Sequence, residues 1–331
     1  MSTYIIAEIG NTHEGSMGLA KCFIQEAKNC GVNAVKFQTH IFSVESLSSA
    51  PNPPYFTDEN RKEYFERTSF TLEQYRELRR FSEDVCGIDF ISSAFSIEAA
   101  ILLINAGVKI IKVPSGEVTN TPLLEYLAKS DCRVILSSGM STWRELDKAY
   151  SILSSVKDLV ILQCTSEYPC PPEKAGLNVI TELKIRYKCN VGFSDHTLGV
   201  SVPIAAVVLG AKIIEKHFTL SKLMYGSDAI NSMEPKEFKI LVSEIRNVEK
   251  ALDNSIDKDL IDDNLKLMKT VFEKSIVVAN FIQKGQVVRF NDLAFKKPGN
   301  GIPASDYNLI IGKKANCDLN KDHLLSFADV E

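Results

Sequence analysis

The chain lacks a basic surplus: 38 Lys and Arg stand against 42 Asp and Glu, a formal net charge of −4 over 331 residues. Proteins that grip nucleic acid neutralise phosphate with excess cation, so no nucleic-acid partner is expected. The chain also lacks a long apolar run. The longest, Val202–Gly210, spans nine residues before Lys212, and a membrane span needs about twenty. Met1 to Tyr4 carry no basic segment, and Glu8 interrupts the apolar run that follows. No secretion signal is therefore expected, and a cytoplasmic location is. No two of the eight cysteines form a CxxC, and Cys164 and Cys170 are too loosely spaced for a zinc ribbon, so free thiols are expected. No GxGxxG follows the first apolar run, where Gly10 and Gly15 stand too far apart, which counts against a dinucleotide-binding open sheet.

What is present is a repeated unit: a short β-branched run, a polar loop, then a helical stretch. The runs are Tyr4–Ile9, Ala34–Gln38, Gly87–Ser92, Val108–Val113, Arg133–Ser138, Leu159–Cys164, Asn190–Ser194 and Ala211–His217. Each is continuously apolar, as parallel strands covered on both faces must be. Between them, stretches such as 18–29, 71–85 and 121–128 carry apolar residues at helical spacing. Gly31, Gly107 and Gly210 follow helical stretches, where a left-handed C-cap is needed. Eight such units in about 250 residues predict an α/β fold of the (β/α)₈ type, a TIM barrel, over residues 1–253. A polar stretch, 254–271, reads as a linker. Residues 272–331 change character: short strand candidates at Ser275–Ala279, Val287–Phe290 and Leu324–Phe327 alternate with turn signals. They predict a small, mostly β domain, marginal alone at this size.

Polar residues cluster at the C-terminal end of every barrel run: Glu8; Lys36 and Gln38; Ser93; Lys112, Ser115 and Glu117; Ser137; Cys164; Ser194, Asp195 and His196; Glu215 and His217. Those ends converge on one face of a (β/α)₈ barrel, where active sites form. Lys36 and Lys112 sit inside apolar runs. A lysine there must meet an anion or a buried carboxylate. That leaves three readings: a phosphate or carboxylate clamp, a Schiff-base lysine, or a structural pair with Glu8 or Glu117. His196 and His217 end neighbouring runs, each beside an acid, Asp195 and Glu215. Two imidazoles suit a divalent transition metal with open positions, and the acids would orient them; the alternative is a pair of hydrogen-bonded structural histidines. The loops at Ser115-Gly116 and Ser138-Gly139 could offer backbone N–H groups to a phosphate. Tyr168-Pro169-Cys170-Pro171-Pro172 reads as a rigid turn or a pocket wall.

Taken together these stretches resemble a known family. Ala7–Gly15 (AEIGNTHEG), Val35–His40 (VKFQTH), Ile111–Glu117 (IKVPSGE), Leu136–Met140 (LSSGM), Gln163–Pro169 (QCTSEYP), Gly192–Thr197 (GFSDHT) and Glu215–Thr219 (EKHFT) are similar, in order, to the sialic acid synthases, which include legionaminate and pseudaminate synthases. Lys297–Ile302 (KPGNGI) and Ile311–Ala315 (IGKKA) resemble that family's antifreeze-like SAF domain. The resemblance implies a TIM barrel joined to a β-clip domain in a domain-swapped homodimer. It implies condensation of phosphoenolpyruvate with an N-acetylated amino sugar, N-acetylmannosamine or a 2,4-diacetamido-6-deoxy analogue, with Mn²⁺ or Mg²⁺ and release of phosphate. Carried over by position, Lys36, Ser93, Lys112, Ser115, Ser137 and Ser194 would hold phosphoenolpyruvate. His196 and His217 would hold the metal, and Gln38, Tyr168 and Asp228 the sugar. Glu8 and Glu117 would manage protons or place the attacking water. Lys297 stands where the family usually presents an arginine to the sugar, and Ala229-Ile230 follow Asp228 where many members have histidine. The rival functions are a Schiff-base barrel aldolase using Lys112 and a sugar-binding barrel without catalysis.

Overall fold

The computed structural model describes residues 2–52 and 59–331. Eight strands, β1 (Tyr4–Gly10), β2 (Ala34–Thr39), β3 (Asp89–Ala94), β4 (Ile110–Val113), β5 (Arg133–Ser137), β6 (Val160–Cys164), β7 (Asn190–Asp195) and β8 (Ile213–His217), close in sequence order into one barrel. Every pairing is parallel, including β1 with β8. The TIM barrel expected from the runs is the observed fold.

Side chains alternate across each strand, so the runs divide between two cores. Ile5, Ala7, Ile9, Val35, Phe37, Phe90, Ile111, Val134, Leu136, Ile161, Phe193 and Ile214 face the surrounding helices and pack there. Ile6, Ala34, Ile91, Ile110, Ile135, Val160, Leu162 and Ile213 fill the barrel interior. Counting two residues onward from this inner layer gives Glu8, Lys36, Ser93, Lys112, Ser137, Cys164 and Glu215. The apolar layer is thus the floor beneath a polar one, on the same face of the same strands. The tight C-caps are present: Gly31, Gly107 and Gly210 have φ of 85°, 87° and 100°.

Several local expectations shift. The stretch 71–85 is helical over Leu72–Arg80 and then widens into a π turn, Phe81–Cys86, closed by left-handed Gly87. The helix after β6 starts at Leu177, because Pro172–Lys174 form a separate 3₁₀ turn and Gly176 is left-handed. An unforeseen helix, Arg61–Thr68, is capped by Asn60, whose side chain accepts from Glu63 N.

The chain divides into two compact units, Met1–Asn254 and Ser255–Glu331. The stretch read as linker is not wholly irregular: Asp263–Phe272 form a helix, capped by Asp262 accepting from Leu265 N at 2.9 Å. Its Asp and Lys content reads as polar coil, but the cap and the Leu265–Met268–Phe272 spacing suit a helix. The second unit holds an antiparallel pair, β9 (Ser275–Val278) and β10 (Leu293–Lys296), with Leu293 opposite Val278. Ile276, Val278, Ile282, Val288, Ile310 and Leu319 form its core. Val287–Phe290 is not the second strand. Val287 makes one bridge to Lys314, and Phe290–Asp292 turn in a 3₁₀ helix held by Asp292 accepting from Arg289 N. Leu324–Phe327 likewise contributes one bridge, to Val277, before the 3₁₀ turn Phe327–Asp329.

Candidate active site

The barrel mouth opens into a cavity of about 680 Å³. Thirteen of the residues singled out from the sequence line it: Glu8, Lys36, Gln38, Ser93, Lys112, Ser115, Glu117, Ser137, Tyr168, Ser194, His196, His217 and Asp228. Lys297 belongs to the second unit, where its Nζ stands 4.6 Å from the Phe272 ring centroid.

At the bottom of the cavity two buried lysines and two buried carboxylates interlock. Lys36 Nζ lies 2.8 Å from Glu8 Oε2 and 3.7 Å from Glu215 Oε1, and donates to Ser93 Oγ at 3.0 Å. Lys112 Nζ donates to both oxygens of Glu215, at 2.9 and 2.8 Å. Ser194 Oγ adds a third bond to Glu215, at 3.0 Å. The partner expected for Lys112, Glu8 or Glu117, is therefore replaced by Glu215. Glu117 instead accepts from Asn120 at 2.7 Å. Burial alone would raise the Glu215 carboxyl, but Lys112 and Lys36 outweigh it and hold the group well below the usual carboxylate range. Lys36 is raised despite its burial by Glu215 and Glu8, whereas burial and the neighbouring Lys36 pull Lys112 down against the attraction of Glu215.

Above this cluster lies a cradle of small groups. Ser115 Oγ donates to Ser137 Oγ at 3.1 Å. A β-carbon on Gly139 would stand 2.5 Å from both Ser115 Oγ and Ser166 Oγ, so glycine keeps the cradle open. Ser138, next to it, turns outward and donates to Gln163 Oε1 at 3.0 Å.

The two histidines meet with ring centroids 5.5 Å apart, and Tyr168 packs on His196 at 4.0 Å. Neither acid beside them orients them. Asp195 points out of the barrel and pairs with buried Lys216, as strand alternation requires. Glu215 serves the lysines. His196 is oriented by the Thr165 carbonyl, 2.8 Å from Nδ1. That bond makes Nδ1 a donor and leaves Nε2 as the nitrogen available to a ligand. Burial works against the charged form of His196, but Cys164 and the Thr165 carbonyl outweigh it and raise its pKa. His217 Nδ1 is buried with no hydrogen-bond partner. Burial, His196 and Lys36 hold the His217 ring well below its ordinary pKa, so it is neutral. The two imidazoles in a buried corner fit a divalent metal, which would displace the proton from His196 Nε2. Among the described residues no third His, Cys, Asp or Glu joins them to complete a ligand cluster.

The remaining wall is a relay. Gln38 Nε2 donates to Glu8 Oε1 at 3.0 Å, His40 Nε2 meets Gln38 Oε1 at 3.2 Å, and His40 Nδ1 meets Glu45 at 2.8 Å. Burial raises Glu117 above its usual value, and burial with Glu8 raises Asp228 to about 6. Asn11, Glu45, Arg61 and Asn231 also line the cavity. Asn11 lies within the Ala7–Gly15 stretch, but nothing in the local sequence of Glu45, Arg61 and Asn231 marks them as site residues. Glu215 was visible as a charge in an apolar run, but not its partners.

A closed eight-stranded parallel barrel whose buried lysines, carboxylates, serines and histidines gather at the C-terminal mouth defines an enzyme of the TIM-barrel class. The chain belongs to the NeuB family, whose model matches residues 23–257; the SAF domain model matches 273–331. It is 37% identical over 332 residues to N,N'-diacetyllegionaminic acid synthase of Campylobacter jejuni, covering 98% of each chain. It is 36% identical to N-acetylneuraminate-9-phosphate synthase of Homo sapiens, covering 96% of this chain and 90% of that one. The solved N-acetylneuraminic acid synthetase of Leptospira borgpetersenii, a citrate complex, superposes with a TM-score of 0.70 at 32% identity, covering 81% of this chain and 91% of that one.

Proposed function

We propose that this cavity condenses phosphoenolpyruvate with an N-acylated amino sugar, forming a nonulosonic acid and releasing phosphate. The observation that carries the reading is the buried cluster of Lys36, Lys112, Glu8 and Glu215 beneath the Ser115–Ser137 cradle. It is a site for a compact, multiply charged anion at the closed end of a cavity large enough for a second substrate.

In this reading Lys36 and Lys112 turn from their carboxylates to the phosphate and carboxylate of phosphoenolpyruvate. Ser93, Ser115, Ser137 and Ser194 complete its hydrogen bonds. Gln38, Tyr168 and Asp228 hold the open-chain sugar with its aldehyde toward the enol. C3 of phosphoenolpyruvate forms a bond to the aldehyde carbon, and the aldehyde oxygen takes a proton from Glu117. Water adds to the resulting cation at C2, giving one proton to Glu8 or back to Glu117. The C2–O bond to phosphate then breaks as the new C2 hydroxyl passes its proton to the departing phosphate, leaving the C2 ketone. A carboxyl raised by burial, as Glu117 is, suits that proton transfer. His196 and His217 would hold a divalent metal, which when bound supplies Lewis acidity at the aldehyde oxygen. The nitrogen donors favour Mn²⁺ over Mg²⁺, which prefers oxygen. Lys297 would act on the sugar from the second unit of a partner chain, in a homodimer. Cytoplasmic location belongs to the same reading; among the described residues no helix is long and apolar enough to cross a membrane.

A Schiff-base aldolase is the rival reading: burial and the neighbouring Lys36 lower Lys112 toward the neutral amine such chemistry needs, while Glu215 holds it through both oxygens. The test is phosphate release from phosphoenolpyruvate with Mn²⁺, against N-acetylmannosamine, its 6-phosphate and 2,4-diacetamido-6-deoxy sugars. Release with one sugar, abolished by chelator, is expected. A borohydride-trapped pyruvate adduct on Lys112 would sink the reading.

A further inference from the structure

We propose that Arg67, which does not line the cavity, is a positioning residue for the sugar, acting through the loop that carries Asp228; the inference rests on the function proposed above. Arg67 lies in the helix Arg61–Thr68 that follows β2. Its guanidinium joins three loops at the barrel mouth. Nε donates to Glu59 Oε2 at 2.8 Å, and its terminal nitrogens reach Glu59 Oε1 and Glu14 Oε2. Glu14 belongs to the loop after β1, and Glu59 to the loop after β2. From the loop after β8, the Tyr225 ring centroid lies 5.4 Å from the carbon of the same guanidinium, and the Tyr64 ring centroid lies 5.1 Å from it. Glu59 also hydrogen-bonds the Tyr225 side chain.

The next residue shows how closely the third loop is drawn in. Gly226 has φ of 100°, and a β-carbon there would lie 3.1 Å from Glu14 Oε1. Asp228, two residues on, sits against β1, where a β-carbon on Gly10 would lie 2.8 Å from Asp228 Oδ2. The base of this loop is pinned by backbone bonds, Thr219 N to Met233 O at 3.0 Å and Met233 N to His217 O at 2.9 Å. Ser232 Oγ donates to the Asp228 carbonyl at 2.6 Å within the loop, and the tip before Asp228 is tied to the rest of the barrel mouth through Tyr225, Gly226 and the Arg67 cluster. An arginine in contact with two rings and bridged to two carboxylates has a geometry that lysine cannot reproduce, since lysine offers no planar fork. Removing Arg67 also leaves Glu14 and Glu59 facing each other without a cation. The loop tip would then move, and Asp228 with it, while the lysine and serine floor that takes phosphoenolpyruvate stays in place.

The experiment titrates full-length wild type, Arg67→Lys and Arg67→Ala for phosphate release, once against the accepted sugar and once against phosphoenolpyruvate. In Arg67→Ala the KM for sugar is expected to rise about tenfold, as for loss of a coupled network. The KM for phosphoenolpyruvate stays within about twofold, and Arg67→Lys falls between. Equal rises in both KM values, or an unchanged sugar KM, overturn the proposal. If Arg67→Ala does not fold, Arg67→Lys carries the same comparison. If wild type releases phosphate with no sugar, the proposed function falls separately, and amide exchange over residues 219–233 decides this inference. Faster exchange in the variant upholds it; unchanged exchange overturns it.

Discussion

Glu215 holds the two lysines of the cavity floor in place before any substrate arrives. Replacing it with glutamine leaves Lys36 with Glu8 and Lys112 without a carboxylate partner, and removing one partner of a buried pair costs about 3 kcal/mol. Glu215→Gln is therefore expected to melt earlier than wild type, and phosphoenolpyruvate is expected to restore more stability to the variant than it adds to wild type. Melting curves with and without the ligand check both; an unshifted melting temperature would show the pair to be dispensable. His217 is different, because its ring is neutral and one of its nitrogens has no partner. His217→Ala should lose turnover and Mn²⁺ binding while folding normally, which activity and metal titration would read separately.

His13 gives a residue-scale prediction on pH. Its ring is stacked on Phe70, with Nδ1 accepting from Gly15 N, and burial followed by Arg67 lowers its pKa to about 3. A folded pKa below the unfolded value means that the unfolded chain takes up the proton first. The stability from neutral His13 is complete above pH about 6.5 and is lost as pH falls toward about 3. His13→Gln can still accept from Gly15 N, so it should flatten this part of the acid limb in urea melts between pH 4 and 7. An unchanged slope would move the acid sensitivity elsewhere.

At the scale of elements, the loop after β5 shows why a serine cradle needs a glycine beside it. Gly139 does not have a left-handed backbone; it is required by space, with Ser115 and Ser166 hydroxyls where its β-carbon would be. Gly139→Ala should push Ser115 from its bond with Ser137 and raise the KM for phosphoenolpyruvate about tenfold, with little change in the KM for sugar. That pattern is the opposite of the one expected for Arg67, so the two variants measured together map the two ends of the cavity. The strands themselves were readable because a residue's face follows from its place in the run. Ile6 then Glu8, Ile91 then Ser93, and Ile110 then Lys112 lie two apart, one layer above the other. The same alternation, applied to Asp195, puts it outside the barrel with Lys216, a distinction that the neighbouring His196 obscured.

On the scale of the whole molecule, the two units have separate cores, Ile5 to Ile245 in one and Ile276 to Val330 in the other. A chain ending at Asn254 should therefore keep the far-ultraviolet spectrum of a folded barrel. If the second unit serves the sugar through Lys297, that truncation raises the sugar KM and lowers the mass measured in solution from dimer to monomer. A truncated barrel with full activity would remove the second unit from the reaction.

The sequence by itself determined the barrel, the order of its strands, and the residue types gathered at its mouth. These depend on local periodicity: continuous apolar runs, glycine after three of the helical stretches, and a polar residue two places beyond the last interior one. Tertiary structure alone decided the pairings. Lys112 meets Glu215 across 103 residues of chain, and Arg67 gathers Glu14 and Tyr225 from the loops after the first and the last barrel strands. In the second unit it decided that Leu293–Lys296 is a strand while the equally β-like Val287–Phe290 is not. Such choices depend on which partner the closed fold brings within about 3 Å of a buried charge or an open backbone group, and no local pattern along the chain encodes that distance.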